Sequence, residues 1–238
     1  STTESFDELK YLEELTFVSN ETMDLSFLME IETPKTIKIH GKIKTLETIK
    51  GLSALKELVL FNKNIEDGNL IKNYTNLKKL DISMTEIADI SFLKNLTELE
   101  YLGLPVGIKD YSVLQNLKWL KTLFIDIINE EVIEYLKDLT GLETIDTFLD
   151  DYNDIHALSQ LPRLKNLYLD CDLFDWRNPN DEMDVSVLED FTKLQTLVLT
   201  NSRVSDLEFL KYYLKLEKLE IESVYIDDVR PLITLAKK

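Results

Sequence analysis

The sequence predicts an α/β solenoid, in which one short strand and one short outer turn repeat along the chain. Three observations point there: an apolar phrase that recurs, the length of its period, and an acidic residue that returns at one place within it. The phrase is clearest at Leu77-Lys-Lys-Leu80-Asp-Ile82-Ser-Met-Thr-Glu-Ile87-Ala-Asp89-Ile90-Ser-Phe-Leu93. Its apolar spacing fits neither a continuous helix nor a continuous strand. Kernels, Leu-x-Leu or Ile-x-Ile at their clearest, begin at Leu15, Ile37, Leu58, Leu80, Leu102, Leu123, Ile145, Leu167, Leu197 and Leu219. Successive kernels lie 21 or 22 residues apart, except for one gap of 30 between Leu167 and Leu197. A period in the low twenties points to leucine-rich repeats, about ten of them, in a single domain covering residues 1–238.

Each element follows from the spacing. Alternate side chains of a strand face opposite sides, so the two kernel residues point together into the core and their neighbours point out, on the face where successive strands align as a parallel sheet. After the kernel the chain turns, buries Ile87 or its equivalent and reaches an acid. Asp24, Asp67, Asp89, Asp110, Asp154, Asp184, Asp206 and Asp228 hold that place. A carboxylate there, before patterns such as Ile90-Ser-Phe-Leu93, is expected to cap a helix by accepting free N–H groups of its first turn. The little chain left before the next kernel allows only a short helix or a 3₁₀ turn on the outer side. Narrow outer elements beside a wider sheet predict a horseshoe, with the sheet on its concave face and the turns on its convex one.

Taken in order, the chain starts with a period-three ladder, Phe6-x-x-Leu9-x-x-Leu12-x-x-Leu15, and so begins partway through a repeat. The second repeat is the most degenerate, with Pro34 in a leucine position and Gly41-Lys42 at its turn. The third and fourth are the most regular. The seventh carries Ile145-Asp146-Thr147 as its kernel, and an acidic insertion at about 172–183 accounts for the long gap. Insertions in solenoids usually lie on one face as loops, often near the binding surface.

With these residues in view, the phrase resembles the internalin-type short leucine-rich repeat of bacteria, Leu-x-x-Leu-x-Leu-x-x-Asn-x-Ile-x-Asp-Ile-x-x-Leu, from about residue 6 to 232. The resemblance implies a protein-binding solenoid without catalysis and leaves the partner open, because one fold hosts many functions. One departure matters. The Asn after the kernel, whose amide in that family bridges neighbouring loops, is kept at Asn20 but replaced by Lys63, Thr85, Gly107 and Asp150, while Asn62 and Asn201 lie one place early. Loop bonding must be met differently here.

Composition narrows the function classes. Net charge is −17, from 44 acidic and 27 basic residues, and the arginines are Arg163, Arg177, Arg203 and Arg230. Phosphate backbones and anionic lipid surfaces are repelled on average, so nucleic acid is not expected as a partner; the charge reads first as solubility and, as the alternative, as a preference for a basic protein partner. No apolar run nears the roughly 18 residues that span a membrane. The single cysteine, Cys171, has no internal partner and reads as an inert loop or semi-buried thiol, which argues against disulfide-stapled caps and leans toward a cytoplasmic setting. A removed signal peptide would instead make the protein secreted or surface-bound. The histidines, His40 and His156, fall five repeats apart, on the order of 24 Å by strand spacing, too far to share a metal or proton. No nucleophile elbow, phosphate loop or Cys-His pair is present, so neither an enzyme nor a cofactor is expected.

Alternation alone nominates the outward positions. For partner binding these are Val59, Phe61, Tyr101, Phe124, Asp126, Asp146, Phe148, Tyr168 and Asp170, with Trp176 in the insertion. Exposed aromatics on a rigid sheet bury much area at little entropic cost, and the acids would steer a basic partner. Two readings compete for Phe148: outward anchor, or core residue if the register slips at the irregular seventh kernel. Trp176 is either an anchor or the plug of its own loop; Trp119 reads as packing. The alternative functions are a self-associating scaffold, against which the charged last strand Glu217-Lys-Leu-Glu220-Ile-Glu222 argues in favour of a monomer, and calcium binding by the acidic loops between residues 150 and 184.

Overall fold

The computed structural model describes residues 11–126, 128–148, 153–171, 185–202, 204, 206–223, 226 and 228–235. The chain forms two compact units, Ser1–Leu120 and Lys121–Lys238. In the first, strands β1 (Glu14–Val18), β2 (Thr36–His40), β3 (Glu57–Phe61), β4 (Lys79–Asp81) and β5 (Tyr101–Gly103) pair in parallel and in chain order. In the second, β6 (Thr122–Ile125), β7 (Thr144–Phe148), β8 (Asn166–Asp170), β9 (Thr196–Ser202) and β10 (Lys218–Ser223) do the same.

Every predicted kernel lies in a strand, and the kernels are in register. Leu15 pairs with Ile37, Ile37 with Leu58, Leu58 with Leu80 and Leu80 with Leu102. In the second unit Leu123 pairs with Ile145, Ile145 with Leu167, Leu167 with Leu197 and Leu197 with Leu219. Ile37, Leu58, Leu80, Leu102, Leu123, Ile145, Leu167 and Leu197 are fully buried. Parallel strands need a crossover, and in most repeats it is a single 3₁₀ turn: Ser26–Glu30, Leu46–Ile49, Ile71–Asn73, Ser91–Asn95, Ser112–Asn116, Val185–Leu188 and Glu208–Tyr212. Short α-helices take that place at α1 (Glu130–Leu136) and α2 (Asn153–Leu158), and α3 (Pro231–Leu235) follows β10.

Backbone groups just before each strand are paired by one recurring device. A carbonyl there accepts two successive N–H groups of the next repeat, as Glu13 does from Lys35 and Thr36, Lys56 from Lys78 and Lys79, and Glu143 from Lys165 and Asn166. Ion pairs run along the same edge: Lys35 with Glu13, Lys78 with Glu100 at 3.0 Å, and Lys165 with Glu143 at 2.7 Å. At the far end of β2, Gly41 has φ 133°, and a Cβ there would stand 2.0 Å from the Ser19 carbonyl oxygen, so only glycine fits this close approach.

The recurring aspartates work locally, one place earlier than expected. Asp24, Asp67, Asp89, Asp110, Asp206 and Asp228 each accept the backbone N–H two residues on, at 2.7–3.0 Å. This is an Asx-turn; the helix-capping positions themselves, such as Leu25, Ile90, Tyr111 and Leu207, make no side-chain cap bond. The exception among the 3₁₀ turns is Leu46–Ile49, whose N-cap Thr45 accepts the Glu47 N–H at 3.1 Å. Where the outer element is a true helix, Asn129 does cap α1, accepting the Val132 N–H at 2.9 Å.

Loop bonding departs from the Asn pattern as the sequence implied. The Thr85 hydroxyl donates to the Ile82 carbonyl at 2.7 Å, and Asn62 Oδ1 accepts the Asn64 N–H at 3.0 Å. Two buried tyrosines replace outer-turn apolar residues and reach back one repeat: Tyr74 donates to the Ile49 carbonyl at 2.5 Å and Tyr213 to that of Leu188 at 2.8 Å. Burial, then Glu47, pushes the Tyr74 hydroxyl up to about 12. Trp119 is a correction: it is 68% exposed, because Leu117 and Leu120 fill the inward side around it.

Removing one kernel side chain, as in Leu80→Ala, should cost about 2–5 kcal/mol in urea unfolding, since the rigid neighbours cannot close the cavity. The Asx carboxyls of Asp24, Asp89 and Asp110 are held below the ordinary range by their serine partners, with Lys44 contributing most at Asp24, which reaches about 2. A depressed folded value stabilises above the unfolded value of 3.8 and is lost as pH falls through the folded one. The triple Asp→Asn variant keeps an acceptor but does not titrate. Its melting temperature should lie below wild type at pH 7 and converge on it between pH 4 and 2.

Candidate protein-binding face

The outward face of the first unit is built on β2–β5. Val59 belongs to it by alternation, yet it is only 5% exposed. Lys38 and Asp81 are its register partners on either side, and both are larger than the valine between them. Val59 is therefore not the solvent-facing position the alternation suggested. Phe61 is half-buried and packs edge-to-face on its cross-strand partner His40, ring centroids 4.5 Å apart.

Tyr101 anchors a polar cluster. Its hydroxyl donates to Asp81 Oδ2 at 3.3 Å, and Lys79 Nζ lies 4.7 Å from its ring centroid. The other Asp81 oxygen accepts the Ser83 N–H at 3.1 Å and the Ser83 hydroxyl at 2.7 Å. Gly103, the register partner of Asp81, makes room: a Cβ on it would sit 2.6 Å from Asp81 Oδ1. Sequence reasoning missed Lys79 and Gly103, although a glycine at the outward kernel position of Leu102-Gly103-Leu104 was the readable signal.

On β6–β8 of the second unit the outward side chains alternate aromatic and acidic. Register places Asp146 between Phe124 and Tyr168, and Phe148 beside Asp170. Phe148 is 39% exposed while Thr147 is buried, which decides for the outward reading of Phe148 and against a register slip. The rings of Phe124 and Phe148 meet edge-to-face at 5.9 Å. Asp126 follows β6, and its carbonyl accepts the Thr147 hydroxyl at 3.4 Å. Asp170 Oδ1 accepts Asn201 Nδ2 at 2.8 Å, and Asn201 adopts φ 51°, a left-handed conformation that asparagine tolerates. Burial, and then the neighbouring Asp170 charge, raise the Asp146 carboxyl above the usual range.

Trp176 lies outside the described residues, as do Asp150, Asp151, Asp172 and Asp175 of the calcium reading. Among the described residues no group of three or more His, Cys, Asp or Glu is placed to hold a metal, and no helix is long and apolar enough to cross a membrane. Cys171 is fully buried, and burial followed by Asp170 pushes its thiol up to about 12.

Two measurements check this geometry. Gly103→Ala should destabilise the protein, and by less in an Asp81→Ala background; a double-mutant cycle should return a coupling of about 0.5–3 kcal/mol. Cys171 should resist a thiol reagent at pH 8 in the native protein and react fully in denaturant, because the thiolate is the nucleophile.

No family model and no curated protein matches this sequence. Solved structures do match in fold. An internalin, InlF, from Listeria monocytogenes is 23% identical with a TM-score of 0.65, covering 97% of this chain and 73% of that one. The functional domain of InlJ from the same organism is 19% identical with a TM-score of 0.52, covering 89% and 44%. The Toll–Spätzle complex of Drosophila is 13% identical with a TM-score of 0.61, covering 91% and 34%. With the in-register kernels, these likenesses make the fold a leucine-rich repeat solenoid of the kind seen in internalins.

Proposed function

We propose that this chain is a binding module that presents the outward faces of its strands to a partner protein and carries out no reaction. The observation that supports this best is the set of aromatic side chains standing outward from regular strands, Phe61 and Tyr101 in the first unit and Phe124, Phe148 and Tyr168 in the second. A folded core has no use for rings on that side. Backbones fixed by parallel pairing hold them at little further entropic cost, which is what an interface anchor requires. The acids among them favour a basic partner, which the net charge of −17 would also draw in. One fold neighbour is a complex of two proteins, Toll and Spätzle, so the fold is compatible with such a role.

Capture from lysate and culture medium of the source cells tests the proposal with two variants, Phe61→Asp/Tyr101→Asp and Phe124→Asp/Phe148→Asp. At least one should lose a protein that wild type retains, with its far-ultraviolet spectrum and melting temperature near wild type. If both folded variants keep every captured protein, the outward faces are not the binding surface.

A further inference from the structure

Asp146 and Asp81 occupy the same place in their repeats, the outward residue of the kernel, and they are treated in opposite ways. Asp81 receives the Ser83 N–H, the Ser83 hydroxyl and the Tyr101 hydroxyl. Asp146, half-buried, receives no hydrogen bond and no cation among the described residues; its electrostatic neighbour is a second carboxylate, Asp170. The outer-turn aspartates likewise each hold an N–H. A part-buried carboxylate without a donor is costly to keep, and like charge beside it adds to the cost. Stability therefore gives no reason for an acid here.

What surrounds Asp146 points to its missing partner. Register sets Phe124 on one side and Tyr168 on the other, and strand alternation sets Phe148 two residues along on the same face. A carboxylate with an aromatic residue on each neighbouring strand and another two places along its own matches one side-chain chemistry above others. A guanidinium can lie flat against a ring while its N–H fork pairs with a carboxylate, and it is more weakly hydrated than an ammonium. We propose that the outward face of β6–β8 is a socket for an arginine side chain of the partner protein, with Asp146 as the paired carboxylate and Phe124, Phe148 and Tyr168 as its walls. The proposal rests on the reading of this face as a protein-binding surface. The socket explains why the acid persists: the charge left unpaired in the free protein is completed by the arriving cation. Asp170, one step along, adds to the field that attracts it.

The test titrates the full 238-residue chain with two probes, an end-capped Gly/Ser hexapeptide whose one charge is an arginine and its twin carrying citrulline, which keeps the shape and removes the charge. Binding is read from amide chemical shifts. The arginine peptide should shift amides of β6–β8 and bind at least fivefold more tightly than the citrulline peptide. Asp146→Asn should reduce it to the citrulline level, whereas Glu189→Gln, the same charge change on the outer side, should leave the ratio intact. Asp146→Asn should also melt at a higher temperature than wild type, which shows that the lost binding is not lost folding. Equal binding of the two peptides, or equal weakening by Asp146→Asn and Glu189→Gln, overturns the socket. If Phe148→Ala then still removes binding of both peptides, the aromatic face survives as an interface without an arginine site. If it removes nothing, the face itself is not the interface.

Discussion

Two side chains per strand, set two residues apart, must leave water together. From that requirement the rest of the molecule follows. Once Leu58 and Leu60 face inward, Val59 and Phe61 have no choice but to face outward, and the parallel pairing of Leu58 with Ile37 and Leu80 fixes which outward residues become neighbours. The neighbour relations that matter at the surface, His40 beside Phe61 or Asp146 between Phe124 and Tyr168, are thus by-products of core packing. A one-residue slip would bury them all.

Backbone accounting is the second constraint. A repeat with one short strand and one 3₁₀ turn leaves many polar groups near the core, and the structure answers with a few reusable devices. Shared carbonyls precede the strands, Asx-turns precede the outer turns, and buried hydroxyls are spent on carbonyls of the same or the preceding repeat. Because each device works within a repeat or between neighbours, a local sequence change calls for a local substitute. Thr45 stands in for the missing aspartate of the second repeat by accepting the Glu47 N–H, and Thr85 stands in for the loop asparagine.

The sequence was most legible where a single physical rule governs. Kernel positions follow from burial alone, and every one lies in its strand. The direction of Phe148 needed one more fact, that Thr147 accepts a buried place in the kernel by donating its hydroxyl to the Asp126 and Phe148 carbonyls. Exposure was harder to read than direction. Val59 points outward yet is only 5% exposed, because accessibility depends on what neighbouring strands one repeat away place beside it. The same non-local effect hid the Gly103–Asp81 fit, which joins residues of successive repeats. Trp119 was misread because a large apolar residue was given to the core when Leu117 and Leu120 had already filled it. The asymmetry between Asp81 and Asp146 was invisible in the sequence, since both are an aspartate between two inward residues and only their partners differ.

The junction between β8 and β9 carries a wider lesson. Thirty residues separate Leu167 from Leu197 where other kernels are 21 or 22 apart, yet the two pair as neighbours and the strands flanking them keep their register. Strand pairing at this junction therefore accommodates a kernel spacing of 30 residues as readily as one of 21 or 22. That makes the crossover a graft site. New sequence can enter there by insertion while the selection that maintains the core goes on undisturbed, so a solenoid of this kind can change what it displays without renegotiating how it folds.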